Sequence, residues 1–335
     1  MNRKIPAPSD FVVDADDIRS AADILRGHAI LTPLLEYPVL NERMGGRVLI
    51  KFEGAQITGS FKFRGAYNRL ARIPAEAKAA GVVAWSSGNH AQGVAAAARL
   101  LGLAATIVMP SDAPAIKMAN TRALGAEIIA YDRFTESREK IATALAIARG
   151  ATLVPSFDDP FIIAGQGTAG LEILDQARAL GTGVDRIAVC CGGGGLVAGI
   201  ATAVKSASPE TEIYSVEPAA FDDTARSLAS GHRETVSPDA RSICDALLTP
   251  TPGELTFPIN RALLSGGLSV TDDEVRATMR FAFEDLKLVM EPGGAVALAA
   301  LLHKKLPRTD GVTAVIVSGA NVDPGFYASI LTEVG

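Results

Sequence analysis

From Val48 onward the chain alternates short β-branched runs with Ala/Leu-rich stretches of helical period, and this alternation limits the fold more than any other feature. The runs are VLIKFE (48–53), VVAWS (82–86), ATIVMP (105–110), AEIIAY (126–131), ATLVPS (151–156), RIAVCC (186–191), EIYSVE (212–217), a weak LSV (268–270) and VTAVIVS (312–318). Between them lie AQGVAAAARLLG, TESREKIATALAIARG, GLVAGIATAVKS and TDDEVRATMRFAFEDLKL. Successive parallel strands need a long crossover, for which a helix is the usual solution, so the pattern predicts an α/β fold with a mainly parallel sheet covered by helices. A chain of 335 residues is long enough for two domains. No repeat of fixed period and no low-complexity linker divides it, so two domains would have to pack closely.

Several function classes are excluded early. No uncharged stretch approaches the ~20 apolar residues of a membrane span. The net charge is −5 and the one clustered basic pair of note is Lys304-Lys305, which gives no electrostatic footprint for nucleic acid. The N-terminus, MNRKIPAPSDFVVDADD, has prolines and acids where a secretory apolar region would lie, so no export and a cytoplasmic setting are expected. Cys190, Cys191 and Cys244 show no metal or redox spacing and read as small buried hydrophobes. His28, His232 and His303 read as surface residues without partners.

Glycine is in excess, 32 residues, against an average of roughly 7%. Glycines mark the strand-to-helix junctions SSGNH (86–90), CGGGG (191–195) and SGAN (318–321), where parallel sheets bind ligands. A fourth junction, EPAAFDD (217–223), is acidic. Gly192, Gly193, Gly194 and Gly195 would let backbone N–H groups and a helix N-terminus approach a phosphate, although a plain tight turn would use glycine too. The run is neither a Walker loop nor a spaced dinucleotide fingerprint. Lys62 lies between Phe61 and Phe63 in a turn-to-helix segment, so it is either a desolvated amine nucleophile or an ordinary lysine on an amphipathic helix. In SSGNH, Ser86, Asn89 and His90 suit a carboxylate, or Ser86 and Asn89 merely cap the helix.

KFEGAQITGSFKFRGA, SSGNHAQGVA, IAGQGTAGLEI, CGGGGLVAGI and SGANVD together resemble, in order and spacing, the threonine/serine dehydratase and serine racemase family of fold-type II pyridoxal-phosphate enzymes. The resemblance runs from about Asp16 to Val322. It implies a three-layer αβα, tryptophan synthase β-subunit-like fold with a large cofactor domain from residues 1–80 and 159–335 and a small domain inserted at 81–158. It further implies that Lys62 binds pyridoxal 5'-phosphate as a Schiff base and acts as general base, and that Phe61 packs on the ring. Gly192 to Gly195 would hold the phosphate, Asn89 the phenolic oxygen, and Ser318 the pyridine nitrogen. Ser86, Ser87, Asn89 and His90 would hold substrate, Ser87 being able to return a proton on the face opposite Lys62.

Arg138 aligns with a pocket-facing arginine of the racemases, or is a solvent-facing helix charge beside Glu136 and Glu139. Glu217, Asp223 and the Phe221 carbonyl resemble a site for Mg²⁺ or Ca²⁺, or form a solvated acidic turn.

The implied activity is dehydration of a small β-hydroxy amino acid such as L-threonine or L-serine to a 2-oxo acid and ammonia, by a homodimer. The alternatives are a hydroxyaspartate dehydratase, a serine racemase, a dehydratase of hydroxyectoine (compatible-solute) catabolism, or a cofactor-binding regulatory protein without turnover. Two departures bear on the substrate. Ala246 follows Asp245 where the dehydratases commonly have glycine, and Pro292-Gly293-Gly294 replaces a common Ser/Thr-Gly after Glu291. The chain extends only briefly past the run at 312–318, so no C-terminal regulatory domain and no feedback by isoleucine are expected.

Overall fold

The structure, a computed structural model, describes residues 11–113 and 115–332, with only the backbone at 115 and 116. The first ten residues, on which the expectation of no export segment partly rests, lie outside it.

Among the described residues, ten strands form two sheets. They are β1 (Leu34–Glu36), β2 (Val48–Phe52), β3 (Val82–Trp85), β4 (Ala105–Pro110), β5 (Glu127–Tyr131), β6 (Thr152–Leu153), β7 (Arg186–Cys190), β8 (Glu212–Pro218), β9 (Gly266–Val270) and β10 (Thr313–Val317). The larger sheet has the order β1-β2-β10-β7-β8-β9 and the smaller β5-β4-β3-β6. All pairings are parallel except β1 with β2, where Leu34 lies opposite Lys51. The fold is therefore α/β, as the alternation predicts. β1 is too short to show any alternation and was not foreseen. The run expected at 151–156 pairs only through Thr152 and Leu153, and Val154 N–H adds one bond to Val83 O before Pro155, which has no N–H, ends the ladder. The stretch 271–288 is helical only over Asp272–Phe281, then widens into a π-turn (Ala282–Leu286), and nothing in its composition marks the change.

The core of the larger sheet is sealed by the helix Pro292–Leu302, PGGAVALAALL, which is apolar all round and buried at every residue, as such a composition requires. Three other helices meet backbone to backbone. On the helix Pro160–Ala179, a Cβ at Gly165 would stand 2.6 Å from Gly65 Cα of the helix Lys62–Ala71, and one at Gly167 would stand 2.7 Å from Gly199 O of the helix Gly195–Ala207. The motif IAGQGTAGLEI thus works as a packing surface that brings the lysine helix and the glycine-loop helix onto one spine.

A buried ion cluster fixes that arrangement. Arg64 donates from Nε and Nη2 to Glu53, both at 2.8 Å, and from Nη1 and Nη2 to Glu172 at 2.6 and 2.8 Å. Lys51 Nζ donates to Glu172 Oε2 at 2.5 Å, to Gln176 Oε1 and to Thr32 O. Burial pushes the Glu53 carboxyl up, but the charges of Arg64 and Lys51 outweigh this and hold it below the usual range. Two cations thus face two carboxylates, with no charge left over. Removing one partner of such a set strands the other, so Arg64→Leu is expected to cost about 3–5 kcal/mol in urea unfolding, with Arg64→Lys recovering only part. Because the pKa of Glu53 is lowered on folding, the stabilisation is full above the unfolded carboxylate value and is lost as pH falls toward the folded one, so the acid limb of wild-type unfolding should be shallower in Arg64→Leu.

Candidate active site

The carboxyl ends of β2, β10 and β7 are adjacent in the middle of the larger sheet, and the chain leaves β7 toward β8 and β9 on one side while β10 and β2 fill the other. A crevice opens at such a reversal of strand order. Three segments enter it. Beyond β2 the chain turns back along the end of β10: Ser60 bridges Gly319 antiparallel, Phe61 N–H donates to Ser318 O at 3.1 Å and Ala320 N–H to Gly59 O at 2.9 Å. Thr58 is held in the left-handed region, φ 64°, uncommon for a β-branched residue, and Asn321 Nδ2 donates to its carbonyl at 2.7 Å. The turn delivers Lys62 as the first residue of its helix.

Lys62 Nζ donates to Ser156 O at 2.9 Å and stands 5.1 Å from the centre of the Phe61 ring. Burial lowers its pKa to about 8, against the opposing pull of Cys190 and Glu291. His90 Nε2 lies 3.0 Å from Val154 O, so it carries the proton there, and Nδ1 is buried with no hydrogen-bond partner. Burial and the nearby Lys62 charge push the His90 pKa down to about 3, so the ring is neutral.

Asn89 opens the helix Asn89–Leu101. Its Nδ2 donates to Glu291 Oε1 at 2.6 Å and its Oδ1 accepts from Asn321 Nδ2 at 2.8 Å. Burial, then the charge of Asp245, raises the Glu291 pKa to about 8, so this carboxyl is mostly protonated at neutral pH. In the same loop Ser86 Oγ accepts Gly88 N–H at 3.2 Å, and Ser87 is half-buried.

The glycine loop leads from β7 into the helix Gly195–Ala207. Gly194 has φ 89°. A Cβ on Gly193 would stand 2.5 Å from the Phe157 ring, and one on Gly194 2.5 Å from Asn260 Nδ2. The Gly193 carbonyl accepts Thr256 Oγ1 at 2.6 Å, and the Gly194 carbonyl accepts Ala198 N–H at 2.9 Å. With the carbonyls taken up, the first-turn N–H groups, which have no partner within a helix, are left for a ligand. Ser318, next after β10, is buried beside the Cys190 thiol.

The structure thus gathers Phe61, Lys62, the 86–90 loop, Gly192 to Gly195 and Ser318. It does not bring in Arg138. That residue starts the helix Arg138–Arg149 with its side chain 43% exposed and paired with Glu139, because Ser137 caps the helix and its first turn faces solvent. This is the pairing that the helix-charge alternative describes. Glu217 ends near the start of the helix Asp223–Ser230, where its oxygens accept Thr224 N–H at 2.9 Å and Ala225 N–H at 2.8 Å. Asp223 and Phe221 are buried beside it, so the alternative of a solvated turn fails, although no group of three or more His, Cys, Asp or Glu side chains able to hold a metal occurs among the described residues. The cysteines are free and buried, and burial pushes Cys190 up to about 11 and Cys244 to about 12. His28 is exposed but has a partner after all, stacking on Tyr67 at 4.7 Å.

Two site residues escaped the sequence reading. Glu291 served only to locate the Pro292 departure, yet an acid directly before a wholly apolar helix was a signal of a buried carboxyl. Asn321 lay inside a quoted motif without a role. The Ala246 departure also has a structural counterpart, since its methyl lies 3.1 Å from where a Gly293 Cβ would be. The methyl is accommodated where the first turn of the helix Pro292–Leu302 has given up a side chain.

Known proteins share this architecture. The chain is 46% identical over 315 residues to an L-threo-3-hydroxyaspartate ammonia-lyase of a Pseudomonas species, covering 94% of this chain and 97% of that one. It is 39% identical over 321 residues to a catabolic L-threonine dehydratase of Escherichia coli K12, covering 94% of each. The structure of maize serine racemase superposes with a TM-score of 0.90 at 36% identity, covering 95% of this chain and 97% of that chain. The sequence profile of the pyridoxal-phosphate dependent enzymes matches residues 25–319, and the chain belongs to that family, in its fold-type II branch.

Proposed function

We propose that this protein removes water across the α,β-bond of a small β-hydroxy amino acid, the product then yielding a 2-oxo acid and ammonia. The observation that carries the reading is one desolvated amine, Lys62, standing between a glycine cradle and the Asn89–Glu291 pair. The shared ammonia-lyase chemistry of the named relatives supports it.

The site fits pyridoxal 5'-phosphate. Phe157 and Asn260 fill the places where side chains at Gly193 and Gly194 would stand, so the loop can carry only bare backbone there, as a phosphate-holding loop does. In this reading the loop holds the phosphate, Phe61 flanks the ring, Asn89 donates to the phenolic oxygen and Ser318 meets the pyridine nitrogen. When bound, the cofactor supplies an electron sink for the bond broken at Cα.

The chain's own residues do the rest. Lys62, with its pKa lowered to about 8, is neutral often enough near pH 7 to attack a carbonyl and to take the α-proton. The 86–90 loop, at a helix N-terminus, holds the α-carboxylate, with the Ser86 hydroxyl and the backbone N–H groups of Asn89 and His90 as donors and Ser87 as the second group able to exchange a proton at Cα. A serine at the ring nitrogen, unlike a carboxylate, does not hold that nitrogen protonated, which favours prompt elimination over a long-lived carbanion.

Four further features complete the proposal. The two sheets support a large domain of residues 1–80 and 159–335 with 81–158 inserted. Free buried cysteines support a cytoplasmic setting, and family likeness supports a homodimer. Buried Asp223 Oδ2 has no hydrogen-bond partner, which supports Mg²⁺ or Ca²⁺ held by Glu217, Asp223 and the Phe221 carbonyl.

Lys62→Ala is expected to abolish keto-acid formation and the cofactor's visible absorption after dialysis; a retained absorption band would displace Lys62 from its role. Cofactor capture by the cofactor-free protein should accelerate with pH and level off above about 8, where the amine is deprotonated, rather than near the usual lysine value. A panel of L-serine, L-threonine and the hydroxyaspartate isomers, read by keto-acid detection, identifies the substrate, and silence with all of them would return the protein to the regulatory class. Removal of divalent cations by EDTA should lower the melting temperature by several degrees, with Mg²⁺ or Ca²⁺ restoring it; an unchanged melting curve would dismiss the cation.

A further inference from the structure

A cleft of about 320 Å³ opens beside the cradle, with Gln92 and Lys117 on one wall and Asp245, Asn321 and Asp323 on the other. Lys117, on the helix Ala115–Ala123, is the one cation among the described residues that line it. Its side chain is only 14% exposed, and Nζ donates to Asp245 Oδ2 at 2.5 Å. The same ammonium lies 3.6 Å from where a Gly88 Cβ would be, so it borders the loop read above as the α-carboxylate site. Asp245 starts the turn Asp245–Leu247, which rests on the cradle: Leu247 Cα is 3.3 Å from a Gly192 Cβ position and Ala246 Cβ 3.1 Å from that of Gly293.

The two partners of this ion pair differ in how readily they can part. Asp245 is 46% exposed and can turn into water at small cost, whereas Lys117 is largely enclosed and would be left without a counter-charge. A carboxylate offered from the cleft restores what Asp245 gives up. The side-chain carboxylate of a 3-hydroxyaspartate is separated from its α-carboxylate by three bonds, so a substrate anchored at the 86–90 loop presents it toward Lys117. The Glu291 carboxyl, mostly protonated, adds little opposing charge. Asp323, on the far wall, is the other acid lining the cleft, and no lysine or arginine among the described lining residues competes with Lys117.

We propose that Lys117 receives the side-chain carboxylate of a dicarboxylic β-hydroxy amino acid, a 3-hydroxyaspartate, and that Asp245 is the internal carboxylate that occupies Lys117 beforehand and is displaced on binding. This rests on the ammonia-lyase reading and narrows it to a substrate class.

The test compares holoenzyme kcat/KM for L-threo-3-hydroxyaspartate and L-serine in wild type, Lys117→Met, Lys117→Arg and Asp245→Asn, together with calorimetric binding of succinate, a dicarboxylate that cannot react. Lys117→Met should lower the hydroxyaspartate-to-serine ratio at least about tenfold, mainly through KM, and weaken succinate binding by a similar factor. Lys117→Arg should restore part of both. Asp245→Asn removes the competitor and should lower the hydroxyaspartate KM and tighten succinate several-fold. A ratio within about twofold of wild type in Lys117→Met, or succinate binding unmoved by Asp245→Asn, overturns the proposal. If Lys117→Met does not fold, Lys117→Arg and Asp245→Asn decide by the same two measurements. If wild type turns over no amino acid, the ammonia-lyase reading has failed, and succinate binding that depends on Lys117 and tightens in Asp245→Asn still decides the carboxylate site.

Discussion

Arg64 lies two residues beyond Lys62, and its guanidinium is gripped by Glu53 and Glu172 deep in the protein. Glu53 follows β2, Glu172 lies midway along the helix Pro160–Ala179, and Arg64 is in the first turn of the lysine helix. Three elements distant in sequence are thus pinned at one point. A planar fork with fixed donors tolerates little rotation, so the helix that carries Lys62 cannot turn about its axis without breaking four charge-assisted hydrogen bonds. The glycine contacts Gly65–Gly165 and Gly167–Gly199 set the distances between the same helices. Together these fix where the amine emerges relative to the glycine loop.

Around that amine the protein keeps most ionisable groups neutral. His90 is held neutral by burial and the Lys62 charge, Glu291 is mostly protonated at neutral pH, and the Cys190 thiol is pushed up by its burial. In the proposed reading, a site so poor in fixed charge would leave the cofactor phosphate and the substrate carboxylate as the dominant anions, each facing N–H groups at a helix start. The exception is the Lys117–Asp245 pair at the mouth, where a nearly enclosed cation meets a half-exposed acid.

The fold class was legible because buried parallel strands are rich in β-branched residues and their crossovers are usually helical, and both signals survive, in VVAW, ATIVMP and TAVIV for the strands and in AQGVAAAARLLG and GLVAGIATAVKS for the helices. β1 was not legible, being a three-residue edge strand defined by its partner. The π-turn at Ala282–Leu286 was not legible either, since its residues are ordinary helix formers. In the site, Lys62 and Gly192 to Gly195 were visible through neighbours that change their chemistry: flanking phenylalanines in one case, a strand before and a helix after in the other. For Arg138 the sequence left two readings open, because a residue's position in an aligned helix does not say which side of that helix faces the cleft. Glu291 and Asn321 were overlooked because their partner, Asn89, is more than two hundred residues away in sequence, at separations of 202 and 232.

What the sequence determined by itself was the inventory: alternating elements, glycines at strand ends, a lysine between aromatic rings, and the family these motifs identify. Local chemistry is enough for that, because helix period, strand alternation and backbone freedom at glycine are properties of neighbouring residues. Which carboxyl is neutral, which arginine pairs at the surface and which lysine stands beside the 86–90 loop were decided only by the tertiary structure. Those properties depend on burial and on charges brought from remote parts of the chain, and desolvation and Coulomb energy are set by distances in space, not by separation in sequence.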